Sequence, residues 1–167
     1  MTHHISESIK KASSRVRLLR KVRKYMDTKT ASIVYKTMVL PLFTYCSLCL
    51  YGATPAYLRQ RIDFIESRAE RITRSILPKR EEVLKRRICI FVHCCLFKHN
   101  TCGIFDNYFE FKNHKYATRN NGNQLVIPKI RLEAARASFK FQAVNIFNSL
   151  HISLRSEKEF DKFKKAL

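Results

Sequence analysis

Between residues 54 and 77 the apolar residues Leu58, Ile62, Ile65, Ala69, Ile72 and Ile76 recur at alternating intervals of four and three. That interval is the period of one helix face, and a strand would scatter the same residues over both its sides. A chain that carries it must form a long amphipathic helix and pack it against something apolar. A second stripe, Ile5, Ile9, Ala12, Val16 and Leu19, lies within residues 4–26. Gly (3) and Pro (4) are too scarce for the turns of a many-stranded protein. At 167 residues and 46% apolar content, the chain has material for one ordinary core. The expected fold is mainly α. A basic helical bundle spans residues 1–99, a connector follows at 100–123, and a loop-rich C-terminal region at 124–167 holds short extended and helical pieces.

Local signals fill in this outline. Thr54 is a good N-cap and Pro55 a good first residue for the periodic helix, which Leu77-Pro78 should end. Asp27 or Thr28 caps an earlier helix that runs into Pro41, where a kink or break is expected. Helix then resumes through Phe43 and Cys46 to Leu50 and stops at Gly52. Residues 81–98 form another helix with the stripe Leu84, Ile88, Phe91 and Cys95, and Glu81 and Glu82 suit its positive end. Residues 100–123 are rich in Asn and read as a connector, with a short extended piece at 104–111. Residues 125–130 are β-branched and broken by Pro128, which fits an edge strand or extended arm. Residues 134–150 are helical at least from Phe141. Ser156 followed by Glu159 has the capping-box spacing and should open a last helix bearing Phe160 and Phe163.

No charge interrupts residues 37–58, and many cations precede them, which raises the question of a membrane anchor. A span takes about 20 predominantly apolar residues. Residues 39–53 are fewer and include Pro41, Thr44 and Ser47, and extending them meets Lys36 on one side and Gly52, Thr54 and Pro55 on the other. A buried helix is expected, and a membrane partner is not. No signal-peptide pattern opens the chain, and Cys46, Cys49, Cys94 and Cys95 sit in apolar company, so an intracellular setting with reduced thiols is expected.

The formal charge is +20, from 33 Lys and Arg against 13 Asp and Glu. Such an excess repels itself unless a polyanion relieves it, and nucleic acid is the commonest polyanion. Residues 1–30 carry nine cations and two acids, and residues 124–167 carry nine and four. The charge therefore belongs to the folded surface and not to a tail. Lys10, Lys11, Arg15, Arg17, Arg20, Lys21, Arg23 and Lys24 cover the first helix around its apolar stripe, and are the foremost candidates for phosphate contact. Arg59, Arg61, Arg68 and Arg71 on the periodic helix form a second tier, partly offset by Asp63, Glu66 and Glu70.

Several short motifs recur in a recognisable order. Leu40, Pro41, Tyr45, Cys46, Ser47 and Gly52 precede the periodic helix; His114, Tyr116, Thr118 and Arg119 come after it, then Leu125, Pro128 and Arg131. Ser138-Phe139, residues 146–150 (Ile-Phe-Asn-Ser-Leu), Leu154-Arg155 and Phe163-Lys164-Lys165 complete the series. The whole resembles the thumb and C-terminal part of reverse transcriptases from non-LTR (LINE-type, jockey-like) retrotransposons. Thr44 stands where that family has Asp, Phe147 and His151 replace its Trp and Pro, and a Trp before Gly52 is not kept. These losses mark a diverged or decayed copy.

The resemblance implies a thumb that grips a primer–template duplex, whether RNA, DNA or a hybrid, by its backbone and without sequence preference. Nucleotidyl transfer needs carboxylates close enough to hold two Mg²⁺ ions. The four aspartates, Asp27, Asp63, Asp106 and Asp161, include no adjacent pair. The catalytic palm and its Mg²⁺ are therefore expected on another segment of a full-length parent, and this chain is expected to have no cofactor and no catalysis of its own.

Rival readings remain. Cys46, Cys49, His93, Cys94, Cys95, His99 and Cys102 could be assembled into a zinc site, but they fall on expected helices without the turn residues of a zinc knuckle. No nucleophile motif surrounds any Cys, and His93 and Cys94 point to different helix faces. A basic amphipathic module for anionic lipid or an acidic protein is the remaining alternative, beside a relic without activity.

Overall fold

The computed structural model describes residues 2–45, 52, 54–99, 103–105, 107–112 and 123–167. Among them the chain is mainly helical, and its β structure is a single isolated bridge. It forms two compact units, residues 1–84 and 85–167, so the division falls inside the span 1–99 rather than at its end.

The first unit is built on the two sequence stripes. Helix α1 (Thr2–Val22) buries Ile5, Ile9, Ala12, Val16 and Leu19, and ends in a 3-10 turn, Arg23–Tyr25. Asp27 caps α2 (Thr28–Val34): its carboxylate accepts the Thr30 N–H at 3.1 Å. Pro41 does not break the helical path. Beyond Val34 the helix widens into a π turn, Tyr35–Val39, and the Leu40 N–H reaches the Tyr35 carbonyl five residues back. Pro41 has no N–H and its ring crowds the carbonyl four residues earlier, and a wider turn relieves both problems. Helix α3 (Leu40–Thr44) then stops, because Tyr45 is extended with ψ 131°. Tyr45 thus interrupts the expected helix, and its expected continuation to Leu50 lies outside the described residues.

Helix α4 (Ala56–Thr73) buries Leu58, Ile62, Ile65 and Ala69 against α1. Leu58, Ile62 and Ile65 each contribute roughly 1.5–3 kcal/mol by leaving water. Pro55 takes the N-cap place expected for Thr54. The end comes earlier than Leu77-Pro78. Arg74 is left-handed at φ 55°, and its N–H bonds the Glu70 carbonyl at 2.8 Å. This turn takes Ile76 off the stripe, leaving it 97% exposed, and buries Leu77 in its stead.

Helix α5 (Arg80–Phe97) gives its first residues to this unit and the rest to the second. Leu84, Ile88 and Cys95 are buried as expected, with Cys89, Val92 and His93 beside them.

In the second unit aromatic rings replace aliphatic stripes. Phe91 meets Phe105 and Phe139 edge-on at 5.2 and 5.6 Å, and His93 stacks on Phe163 at 4.2 Å. Residues 103–105 form a 3-10 turn, so the extended piece expected over 104–111 is confined to its end. There Phe111 bridges Leu125 in antiparallel fashion. The extended arm begins at Leu125, which Asn148 holds from both sides of its peptide: Oδ1 accepts the Leu125 N–H at 2.8 Å, and Nδ2 donates to the Leu125 carbonyl at 3.1 Å.

A 3-10 turn, Glu133–Ala137, precedes α6 (Phe139–Asn148). Then come α7 (Ile152–Ser156), capped by His151, and α8 (Phe160–Ala166). The Ser156–Glu159 capping box does not form. Ser156 ends α7 and donates its hydroxyl back to the Ile152 carbonyl at 2.6 Å. The Glu159 N–H goes instead to the Glu157 carboxylate at 2.9 Å.

A candidate nucleic-acid interface on α1 and α4

The cations of α1 do not share one face. About 100° separates successive residues of a helix, so Lys11 and Arg15 fall on one edge of the buried stripe and Arg17, Arg20 and Lys24 on the other. Lys10 and Lys21 point away from the core. All seven are exposed. Lys10 pairs with Glu7 at 2.8 Å, a surface ion pair that leaves it available to solvent. That lysine holds the Glu7 carboxyl below its ordinary range. Arg15 donates to the Met38 carbonyl in the π turn.

Arg23 differs from its neighbours. It stands four residues after Leu19 and so continues the buried stripe, and it is half-buried. Its Nε donates to the Ile72 carbonyl at 3.1 Å, and its Nη2 to the Thr73 carbonyl at 3.3 Å and the Thr28 hydroxyl at 3.0 Å. A cation on the last carbonyls of a helix satisfies orphan acceptors and meets the negative end of the dipole. Arg23 thus fastens the end of α4 to the end of α1. The signal was present in the sequence, as a charged residue in register with an apolar stripe.

On α4 the charges are sorted by side. Tyr57, Arg61, Phe64, Arg68 and Arg71 succeed one another at four, three, four and three, which makes a second, cationic and aromatic stripe. Asp63, Glu66 and Glu70 lie on the far side of the helix, so they do not offset those arginines as their nearness in sequence implies. Glu66 is buried and accepts the Arg80 N–H at 2.9 Å, at the start of α5. Burial pushes its carboxyl up from the ordinary range, against the pull of that N–H and of the Arg80 charge. Asp63 lies 3.9 Å from the Arg80 guanidinium. Arg59 belongs to this side too, and its Nε donates to the Thr54 carbonyl at 2.9 Å.

Helix α1 packs along α4, and this brings Arg20, Arg23 and Lys24 beside the arginine stripe. Two adjoining open hollows result. One, of about 400 Å³, is lined by Arg20, Phe64, Arg68, Arg71 and Ile72. The other, of about 480 Å³, is lined by Arg20, Arg23, Lys24, Arg71, Ile72 and Arg74. Among the described residues six cations line this groove and no acid does. Arg74 enters it only because α4 ends in a left-handed residue there, which the expected end at Leu77-Pro78 hid. The other expected contacts, Lys10, Lys11, Arg15, Arg17, Lys21, Arg59 and Arg61, do not line it.

The thiols of buried Cys89 and half-buried Cys94 are quiet. Burial pushes Cys89 up to about 11 and also raises Cys94, so both stay protonated at neutral pH. Among the described residues no group of three His, Cys, Asp or Glu is placed to hold a metal ion. Cys46, Cys49 and Cys102 lie outside that set. No helix among the described residues is long and apolar enough to cross a membrane. No family model matches the chain, and neither a curated protein nor a solved structure matches it significantly.

Proposed function

We propose that the first unit binds the sugar–phosphate backbone of nucleic acid in the groove between α1 and α4, and that the chain performs no reaction of its own. The observation that carries this reading is the groove itself: Arg20, Arg23, Lys24, Arg68, Arg71 and Arg74 converge there with no carboxylate among them. Cations gathered in one concavity sum their fields and attract a polyanion. Contacts of this kind position a backbone and carry no sequence information. The alternative, insertion of α1 into an anionic membrane, needs the apolar stripe of that helix. That stripe is the core of the unit. The motif order that resembles the thumb of non-LTR retrotransposon reverse transcriptases gives the same reading a biological setting: a grip on primer and template beside a palm that carries the Mg²⁺ chemistry.

The test is a salt titration of oligonucleotide binding by the full chain. Each phosphate neutralised contributes about −0.9 to the log–log slope on duplex and about −0.7 on single strands. With Arg20, Arg68 and Arg71 all changed to Ala, the slope is expected to flatten by about 2–3 and binding near physiological salt to weaken by roughly 100-fold or more, at about 1 kcal/mol or slightly more per contact. Changing Arg131, Lys158 and Lys165 to Ala removes equal charge from the second unit and is expected to change the slope little. A flat titration, or equal losses in the two variants, overturns the groove as the binding site. The kinship has its own check: an in-frame aromatic-Ala-Asp-Asp coding segment in the DNA upstream of the Met1 codon supports it.

A further inference from the structure

The phosphate reading leaves the aromatic members of the α4 stripe unexplained. Tyr57 is 57% exposed and Phe64 is 61% exposed, on a helix whose core side is fully packed. Rings facing water lose the benefit of burial, and neither contributes to the core of the unit. Their placement is specific. Phe64 lines the groove with Arg20, Arg68 and Arg71, while the helical spacing puts Arg61, outside that lining, between the two rings on the same face. Two helical turns separate Tyr57 from Phe64, about 10 Å along the axis.

Resting on the backbone-binding reading, we propose that this face takes an unpaired nucleic-acid strand, with bases stacking on Phe64 and Tyr57 and phosphates against Arg20, Arg61, Arg68 and Arg71. A cationic track interleaved with aromatic rings is the general solution for single strands, since every base has a π face and stacking tolerates any sequence. A duplex offers these rings nothing comparable, because its bases are already stacked on one another and only its phosphates face outward. Charge complementarity selects the polyanion, and the exposed rings select the unpaired form.

The experiment measures binding of the full chain to a labelled 20-nucleotide single strand without self-pairing, and to a hairpin duplex of the same composition, at two salt concentrations. Vesicles containing phosphatidylserine form a third arm. Phe64→Ala changes an exposed side chain, so folding is expected to survive, and a thermal melt checks this. The variant is expected to lose about 5- to 100-fold on the single strand, the range for one stacked base, and little on the duplex. Tyr57→Ala is expected to lose less, and Phe64→Tyr to keep the preference. Phe64→Leu, apolar but without a π face, is expected to behave like the alanine variant.

Equal losses on both polymers, or no loss on either while the arginine variant still loses both, overturns the stacking proposal and leaves the backbone reading standing. A Phe64→Ala loss confined to vesicles also overturns it. If the unmodified chain binds neither polymer even in dilute salt, both readings fail together.

Discussion

The two units solve the problem of a cationic chain in opposite ways. In residues 1–84 the core is mainly aliphatic, with Tyr35 and Phe43 the aromatic members, and Arg17, Arg20, Lys21, Arg61, Arg68 and Arg74 make no ion pair among the described residues. In residues 85–167 the core is richer in rings, with Phe109, Phe147 and Phe163 among its buried members, and several cations are already engaged. Lys162 pairs with Glu159 at 2.6 Å and Arg136 with Glu133 at 3.2 Å. Arg86 donates to the Lys164 carbonyl at 2.9 Å, and Lys140 sits 4.9 Å above the Tyr108 ring. The acids of α4 itself, Asp63, Glu66 and Glu70, are drawn to one side of the helix, where Glu66 and Asp63 receive α5. The lesson is that net charge alone does not mark a binding surface. What matters is where the few carboxylates have gone, and in the first unit they have gone away from the groove.

Emptying each core in turn has the largest expected effect. Phe163 is fully buried between His93 and Phe147, with ring distances of 4.2 and 6.5 Å. Phe163→Ala is expected to cost about 3–5 kcal/mol, and Ile62→Ala in the aliphatic core about 2–5 kcal/mol. Hydrogen exchange measured residue by residue locates the loss. Protection is expected to fall in α6 and α8 for the first variant and in α1 and α4 for the second. Identical exchange patterns for both would remove the distinction between the units.

The first unit was legible because its helices are long. Five apolar positions at four and three leave little freedom, and every member of the α1 stripe is buried. Where the period was read beyond the helix it failed, as at Ile76, because a single left-handed residue at Arg74 turns the chain away. The sorting of charge on α4 was also present in the spacing, but nearness in sequence hid it: Asp63 and Phe64 are adjacent and lie on different sides.

The second unit was less legible. After α5 its elements are short, 10 residues at most, too short to display a period, and its rings meet across large sequence separations. The Ser156–Glu159 spacing matched a capping box, yet Ser156 was already committed to closing α7. No local rule announces that Asn148 grips a peptide 23 residues earlier.

A smaller effect tests whether Arg23 belongs to the groove or to the frame. Arg23→Ala removes a charged donor from the carbonyls of Ile72 and Thr73, where α4 ends. It is expected to destabilise the fold by about 1–3 kcal/mol, the range for a charge-assisted bond lost from a part-buried site. Arg17→Ala, on an exposed edge of α1, is expected to stay within about 0.5 kcal/mol of the unmodified protein. Chemical denaturation of the two variants side by side reads the difference. If Arg23→Ala proves as mild as Arg17→Ala, Arg23 is a free surface cation like its neighbours.

The smallest effect separates the units by pH. His93 is fully buried, and its Nε2 lies 3.0 Å from the Glu157 carbonyl. A carbonyl only accepts, so Nε2 carries the proton and Nδ1 of the neutral ring is bare, with no hydrogen-bond partner among the described residues. Protonating His93 would place a charge and a donor where nothing receives them. Burial accordingly lowers its pKa from the usual 6.5, aided by the stacked His99 ring 5.6 Å away and opposed by the Glu157 carbonyl. In the unfolded chain the same imidazole takes up its proton near 6.5. Below that pH the unfolded state therefore binds more protons, and stability falls with pH until the folded pKa is reached. One proton limits the slope to about 1.4 kcal/mol per pH unit. Melting curves between about pH 7.5 and 5 are expected to show a steeper acid loss for the unmodified protein than for His93→Phe, which keeps a ring against Phe163 and removes the titration. Parallel pH profiles would mean that His93 protonates as readily inside the aromatic core as outside it.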